Sequence, residues 1–477
     1  MPGPLEVVIG LDAGTTSAKL VAIDRSGRIV ATSTSDTIVS VTSAPGSSVQ
    51  SPEGIWSAIT SACRRGIAEL ADSAQVVGVA VASQSGSVVP IVDGHATEVI
   101  TWMDTRSDAV VDAWPRPTIE LIRRRSGWAR STGLGLATIS WLRSLGTAEQ
   151  HRGTRYGSVD DYLIWQLTGA WLTNPSNAAG MQLMDVSQLE WSPELCALAG
   201  ITPSALSAIR PCGDLADVVT ASAALATGLP TATSVTIGGH DQACAALGLG
   251  AVQAGAAVLS MGTAWVLTIV TDQVDFDNLP VGFNLSPHVV SQRWSISQNL
   301  GGLGAALAWV IDDADSDQLE AELGARTTMP DDPFFVSEMH LADRTGWGRF
   351  TQHASSSDPV ARVRAVMEAL AFETRRAVDQ AADSAIGLTE LAIVGGGTRS
   401  RYLTQLVADV LGVSVTIRPD ASWPALGAAK LAAIAGGWSN PSSADLPSLR
   451  VSPRTEQTTT TDCRFSEYLR LTSGATT

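Results

Sequence analysis

The sequence is short of the residues that would cross-link it or send it to a membrane or nucleic acid. Cysteine occurs five times, at Cys63, Cys196, Cys212, Cys244 and Cys463, an odd and scattered set with no CxxC pair. That argues against a disulfide framework or a cysteine zinc site and for buried thiols in a reducing compartment. Basic residues are outnumbered, 31 Lys and Arg against 47 Asp and Glu, for a net charge of −16. A nucleic-acid binder needs a basic face, as does a protein drawn to anionic lipid, so neither partner is expected. A local pocket of amides and metal can still hold an anion. The N-terminus has no basic stretch followed by an unbroken apolar core, because Glu6 and Asp12 intervene. No signal peptide is expected, and the cytoplasm is the expected location. The uncharged run from Gln242 to Thr271 is long enough to span a bilayer. Gly248, Gly250, Gly255 and Gly262 punctuate it and its second half is β-branched, so it reads as a helix, a turn and two buried strands.

What the chain does have is apolar material: 45% of 477 residues are hydrophobic and 16% are charged. This length exceeds what one core supports, so two domains are expected, over 1–250 and 251–440, with a tail over 441–477. Val8–Leu11 and Leu20–Ile23 are strand-like and flank Ala13-Gly14-Thr15-Thr16-Ser17, which reads as a hairpin. Gly14 allows backbone angles closed to other residues. Amides and hydroxyls of Thr15, Thr16 and Ser17 can hold a polyphosphate, and Asp12 could place its metal. An ordinary polar turn would look the same. A second strand–turn–strand follows at Ala257–Val270, around Gly262 and Thr263. A third strand, from Leu391, runs into Gly395-Gly396-Gly397 and then a helix. Two Gly-Thr hairpins and a late triple-glycine turn suggest two related halves clasping one nucleotide.

Residues 6–34 read as three strands, and Ser51-Pro52-Glu53 opens a helix. Val76–Ala82 is a buried strand ending in Ser83-Gln84-Ser85-Gly86, at the end where α/β proteins bind ligands. Val99–Arg106 reads as a strand with Trp102, Asp104 and Arg106 on one face. An aromatic beside a carboxylate suits a sugar or polyol, although Asp–Arg pairs are also common as plain surface pairs. Asp160–Gly169 is a helix with a glycine stop, and Asn174–Asp185 is loop-like. Thr233–Ile237 is a strand running into Gly238-Gly239-His240-Asp241-Gln242. Asp241 sits where a helix N-cap belongs, and it can also accept a hydroxyl proton; the two roles are compatible. His240 reads as structural. The glycines of Asn299–Gly304, Gly301 among them, could approach a nucleotide. Residues 312–345 read as acidic loop. Asp358-Pro359 starts a long helix, Arg401–Leu411 and Ala425–Ala435 are helices, 438–462 reads as a loose tail, and Phe465–Leu471 as a short closing helix.

Taken in order, Gly10–Lys19, Trp102–Arg106, Gly238–Gln242, Ser260–Thr263, Arg364–Glu368 and Gly395–Gly397 resemble the FGGY family of carbohydrate kinases, in the sugar kinase, heat-shock ATPase and actin superfamily. The resemblance implies an α/β fold of two ribonuclease H-like (actin-like ATPase) domains, with nucleotide and substrate in the cleft between them. It implies ATP and Mg2+ as cofactors, a ketose sugar or polyol as acceptor, and leaves a homodimer open. By the same resemblance Asp241 is the base, and Gln84, Trp102, Asp104, Asp241 and Gln242 face the substrate. Gly14, Thr15, Thr16, Ser17, Lys19, Gly262, Thr263, Gly301, Gly396, Gly397 and Ser400 face ATP, and Asp12 faces the metal. The chain departs from the family at Thr138, where a lysine is common. It departs again at Ser85-Gly86, where xylulokinases carry Met-His and glycerol kinases an Arg-Glu pair, and at Ala369, where a glycine is usual. These departures leave the phosphate chemistry intact and leave the substrate open. They also motivate an alternative, a catalytically silent nucleotide- and sugar-binding regulator on the same fold.

Overall fold

The computed structural model describes every residue except 1–4, 38, 41–43, 72–73, 148, 150, 263, 276–278, 312–315, 327–331, 338–345, 352–357, 419–420, 440–446 and 474–477. Its first sheet is built from β1 (Leu5–Ala13), β2 (Ser17–Asp24), β3 (Ile29–Asp36), β4 (Ala74–Ser83), β5 (Leu215–Val218) and β6 (Ser234–His240). The strand order is β5-β6-β4-β1-β2-β3. The second sheet contains β7 (Ala256–Met261), β8 (Trp265–Thr271), β9 (Asn284–Pro287), β10 (Trp294–Asn299), β11 (Glu390–Val394), β12 (Val415–Ile417) and β13 (Leu449–Val451), in the order β9-β10-β8-β7-β11-β12-β13.

The two sheets repeat one pattern. Three antiparallel strands, β3-β2-β1 and β10-β8-β7, are extended on one side by two parallel strands, β4-β6 and β11-β12. These are the two related halves expected from the paired hairpins. β1 is buried without a break from Val7 to Ala13, because helices cover both faces of its sheet. One cover is α1 (Pro52–Ala68), which Ser51 caps by accepting from Gly54 N. α2 (Val159–Thr168) ends at left-handed Gly169, as its sequence predicts.

The other face is covered by α3 (Asp241–Leu249) together with a helix from the far end of the chain. After α4 (Pro359–Asp383) and α5 (Arg401–Leu411), α6 (Trp423–Ala435) crosses α3 and lies against β1. Backbones touch there. A Cβ on Gly427 would lie 1.8 Å from Cys244 O, and one on Gly10 would lie 1.8 Å from Ala425 O. Val8, Ala80, Cys244, Val258, Val394, Ala425 and Ala429 share this apolar layer, so the lobes join through a common core as well as having cores of their own.

Several segments differ from expectation. The strand at 99–106 stops at Ile100 and turns at Trp102-Met103, because the Asp104 carboxylate accepts from Arg106 N and from Ser48 N and so pulls the chain out of the sheet. Pro175–Gly180 is a short helix capped by Asn174 inside the expected loop, and Ser316–Ala325 is a helix inside the expected acidic one. Gly14 does not take the left-handed angles its turn invited; it keeps the tip open. The end of the chain is built into the second lobe. β13 pairs antiparallel with β12, and α7 (Thr458–Ser473) sets Phe465 and Tyr468 against Phe372 of α4. The helix contains the expected closing helix at Phe465–Leu471 and begins earlier, inside the stretch expected to be a loose tail. No described helix is long and apolar enough to cross a membrane.

Candidate active site

Parallel pairing gathers the site. β1 and β4 run side by side with Asp12 opposite Ala82, and β4 and β6 with Ser83 opposite His240. The carboxyl ends of three strands therefore deliver Asp12, Gln84 and Asp241 to one edge of the sheet. In the second lobe β7 and β11 pair in parallel through Ser260 and Val394, which brings the Gly262 turn and Gly395–Gly397 to one edge as well.

Asp12 is buried, and its Oδ1 has no hydrogen-bond partner. Burial first, and then the negative charge of Asp241, push its carboxyl up to about 7, against the pull of Lys19 beside it on β2. Asp241 is the first residue of α3, and the N-cap position belongs to His240. This corrects the expected capping role: no side chain caps α3, and the Asp241 carboxylate is left for other work. His240 Nε2 lies 3.0 Å from Asp241 Oδ1 without hydrogen-bond alignment. The histidine is thus a neighbour of the carboxylate as well as a structural residue.

A cavity of about 480 Å³ opens in front of Asp241, with Gln242, Gln84, Thr15 and Trp102 among its lining residues. Thr15 Oγ1 donates to Gln84 Oε1 at 3.0 Å and accepts from the Trp102 indole N–H at 3.2 Å. Gln84 Nε2 donates to Gln50 Oε1, and Gln50 Nε2 donates to Thr15 O. The hairpin tip and the Trp102 wall are therefore one hydrogen-bonded unit. Asp104 stands apart: it is buried, pairs with Arg106 at 2.7 Å, and is not among the residues lining the cavity. The ion pair is made, and it is buried rather than at the surface. Sequence reasoning missed Trp128 in the first lobe and missed Asn284, Ser297 and Asn299, polar groups that close the cavity from the second lobe. No local motif marks them; only the pairing of β9 with β10, which sets Asn284 opposite Ser297, brings them together.

Among the residues expected at ATP, Thr16 is exposed at the hairpin tip, and Gly14 N closes the turn on Ser17 O. Gly262 is exposed, and a Cβ there would make only ordinary contact, 3.5 Å from Ala264 O; Thr263 lies outside the described residues. Gly301 has φ +84° and donates to Asn299 Oδ1, at the start of the helix Leu303–Ile311. Gly396 and Gly397 open a tight turn, in which a side chain at Gly397 would strike Met261. The Ser400 hydroxyl is occupied as the N-cap of α5, accepting from Leu403 N. No cluster of three or more potential metal-ligating side chains occurs among the described residues. A magnesium ion carried by phosphates needs only one or two carboxylates, which the unpartnered Asp12 oxygen suits.

The duplicated sheet with a cleft between its halves is the actin-like ATPase architecture. Xylulose kinase from Rhodospirillum rubrum superposes with a TM-score of 0.87 at 24% identity over 98% of each chain, and Plasmodium falciparum glycerol kinase with ADP at 0.84 and 19% over 99% of each. Residues 7–248 match the N-terminal domain and 257–436 the C-terminal domain of the FGGY family of carbohydrate kinases, so the chain belongs to that family. Among curated relatives, the apulose kinase of Pectobacterium atrosepticum is 30% identical over 91% of this chain and 90% of its own. The xylulose kinase of Staphylococcus xylosus is 26% identical over 91% and 92%. The chain is an ATP-dependent phosphotransferase acting on the hydroxyl of a sugar or polyol, and nothing among these relatives favours the silent regulator.

Proposed function

We propose that Asp241 is the general base of this kinase and that the cavity before it receives a small ketose or polyol. One observation carries the reading: parallel strand ends bring Asp12 and Asp241 to one edge of the sheet, close enough that the charge of Asp241 adds to burial in raising the pKa of Asp12. Asp241 takes the proton of the acceptor hydroxyl as its oxygen bonds to the γ-phosphorus and the bond to ADP breaks. Such catalysis is typically worth about 100- to 10,000-fold. The turns at Gly14–Ser17 and Gly262 supply amides to the phosphates. Asp12 would hold Mg2+, which neutralises phosphate charge when bound, and Lys19 stands beside it.

The half-exposed Trp102 indole offers a flat face to the C–H side of a sugar, while Gln242, Asn284, Ser297 and Asn299 are neutral partners for hydroxyls. The related xylulose and apulose kinases make a pentulose-sized acceptor the first to try. Units over 1–250 and 251–440 would close on the bound pair and exclude water, in the cytoplasm where ATP is plentiful. The test is Asp241→Asn with a panel of ketoses and polyols and an ADP-release readout. ADP affinity is expected to persist while kcat falls at least 100-fold. Full turnover in the purified variant would remove Asp241 from the mechanism.

A further inference from the structure

We infer that Ser176 is a positioning residue for the catalytic base, the last link of a buried hydrogen-bond line that starts at Asp160. This rests on the reading of Asp241 as base. The line runs in one direction. His240 N donates to Ser176 Oγ at 2.9 Å. Ser176 Oγ donates its single proton to Asn174 Oδ1 at 2.6 Å, and Asn174 Nδ2 donates to Asp160 Oδ2 at 2.7 Å. Asp160, Asn174 and Ser176 each show no exposed surface. Because the serine proton is committed to Asn174, only its lone pairs face His240, so the hydroxyl can hold this amide in one orientation only. Such aligned chains polarise one another; burial and then the charge of Asp161 raise the Asp160 pKa well above the usual carboxylate range, and its Oδ2 accepts the last bond of the line.

The line adds to the hold of the sheet just after an irregularity. The β6–β4 ladder shifts register between Thr236 and Gly239 and resumes with Gly239 opposite Ala82 and His240 opposite Ser83, next to the base. The backbone there is closely packed: a Cβ on Gly239 would lie 2.3 Å from Val289 Cγ1 and 2.9 Å from Ser176 Oγ. His240 is the N-cap of α3, with φ −55° and ψ 136°, so the plane of its peptide sets where Asp241 starts and where its carboxylate points. Asp160 and Asp161, two buried acids that touch no substrate cavity, share the Ser158 hydroxyl; Asp160 is the one that anchors the line to the base, while Asp161 also accepts from Ser207 Oγ.

The test compares two buried serines. In Ser176→Ala the line loses its middle, and kcat is expected to fall about 10- to 100-fold, the scale of an ångström of misplacement at a reacting group. The KM for ATP should stay within about twofold, because the hairpins are untouched. Ser207→Ala removes an equally buried hydroxyl from the neighbouring carboxylate, and its kcat is expected within about twofold of wild type. Ser176→Cys, of similar size and with a weaker acceptor, should fall between the two, and it serves if the alanine variant does not fold. The inference is overturned if Ser176→Ala and Ser176→Cys keep kcat, or if Ser207→Ala loses as much. Loss of kcat in Asp241→Asn with none in Ser176→Ala would sink this inference alone. Full kcat in Asp241→Asn would sink the base assignment beneath it.

Discussion

Replacing Gly427 by alanine adds one methyl group where two helix backbones touch, and it should be among the most damaging small changes in the chain. The new Cβ would sit 1.8 Å from Cys244 O, 2.5 Å from Cys244 C and 3.0 Å from Cys244 Cα. Ordinary contact begins at about 3.4 Å, so α3 and α6 would have to part by roughly 1.5 Å. No flexible side-chain end is present to yield. α6 cannot simply retreat, because its Ala425 and Ala429 backbones are already pressed onto Gly10 of β1. Overpacking in cores costs about 1–3 kcal/mol, and clashes with fixed backbone belong at or above the top of that range. At a urea slope of about 3 kcal/mol/M, a loss of about 3 kcal/mol lowers the unfolding midpoint by about 1 M. α3 also carries Asp241 at its first position, so the displacement reaches the proposed base, and kcat of the folded fraction should fall on the order of 100-fold. Gly324→Ala is the matched control. It lies in the exposed helix Ser316–Ala325 with nothing within 4 Å of a Cβ, and it should gain about 0.5–1 kcal/mol from helix propensity. Urea titration and steady-state kinetics read both variants. A Gly427→Ala protein with the wild-type midpoint and kcat would refute the claim that backbone contact at this crossing fixes the base.

Burial and the nearby Arg293 hold His288 down at about 4, below its usual 6.5, and its Nδ1 accepts from Val290 N, which requires the unprotonated ring. The unfolded chain takes up this proton first, so stability is complete above about pH 6.5. Some 3 kcal/mol should drain away as pH falls toward 4, and His288→Gln should flatten that part of the stability–pH curve. Arg464 reaches the Glu368 carboxylate in a fully buried pair and also donates to Asp332 O and Pro333 O. Arg464→Met leaves the buried acid only Arg364, at 3.8 Å, and should cost about 3 kcal/mol by calorimetry, with much of it recovered in the Glu368→Leu double variant. Trp102→Ala removes the flat wall of the cavity and the indole bond to Thr15. The KM for the acceptor should rise about tenfold, and an unchanged KM would take Trp102 out of substrate binding.

The fold was legible wherever burial on both faces leaves a plain apolar strand. β1 and β2 read from Val8–Leu11 and Leu20–Ile23 because nothing polar interrupts them before the tip. Likewise Ser51-Pro52 and Asp358-Pro359 announce helices through local capping chemistry, and both caps are made. The Gly-Thr hairpins disclosed the duplication because both halves repeat the same turn at the same place in the sheet. At the end of the chain the closing helix over Phe465–Leu471 was legible from its apolar spacing, whereas the Ser/Thr/Pro-rich stretch before it hid β13 and the first half of α7.

The site was legible only in part, because sequence reports the residue and not the partner that captures it. Trp102, Asp104 and Arg106 looked like one binding face. The structure divides them: Arg106 and the distant amide of Ser48 draw the carboxylate inward, and the indole alone remains at the cavity. His240 looked inert for want of a second histidine, yet its neighbour is the next residue's carboxylate, and its own amide is held from the 174–176 turn. Asn284, Ser297 and Asn299 are ordinary strand residues until β9, β10 and β8 pair. A kinase of this kind needs its nucleotide turns to look alike across relatives, because every ATP presents the same phosphates. Its acceptor pocket is under no such constraint and is assembled from whatever the second sheet presents. What could be read from motifs is therefore the pair of hairpin turns and one wall of the cavity, with Gln84, Trp102, Asp241 and Gln242, and the opposite wall of Asn284, Ser297 and Asn299 emerges only when the two sheets face each other.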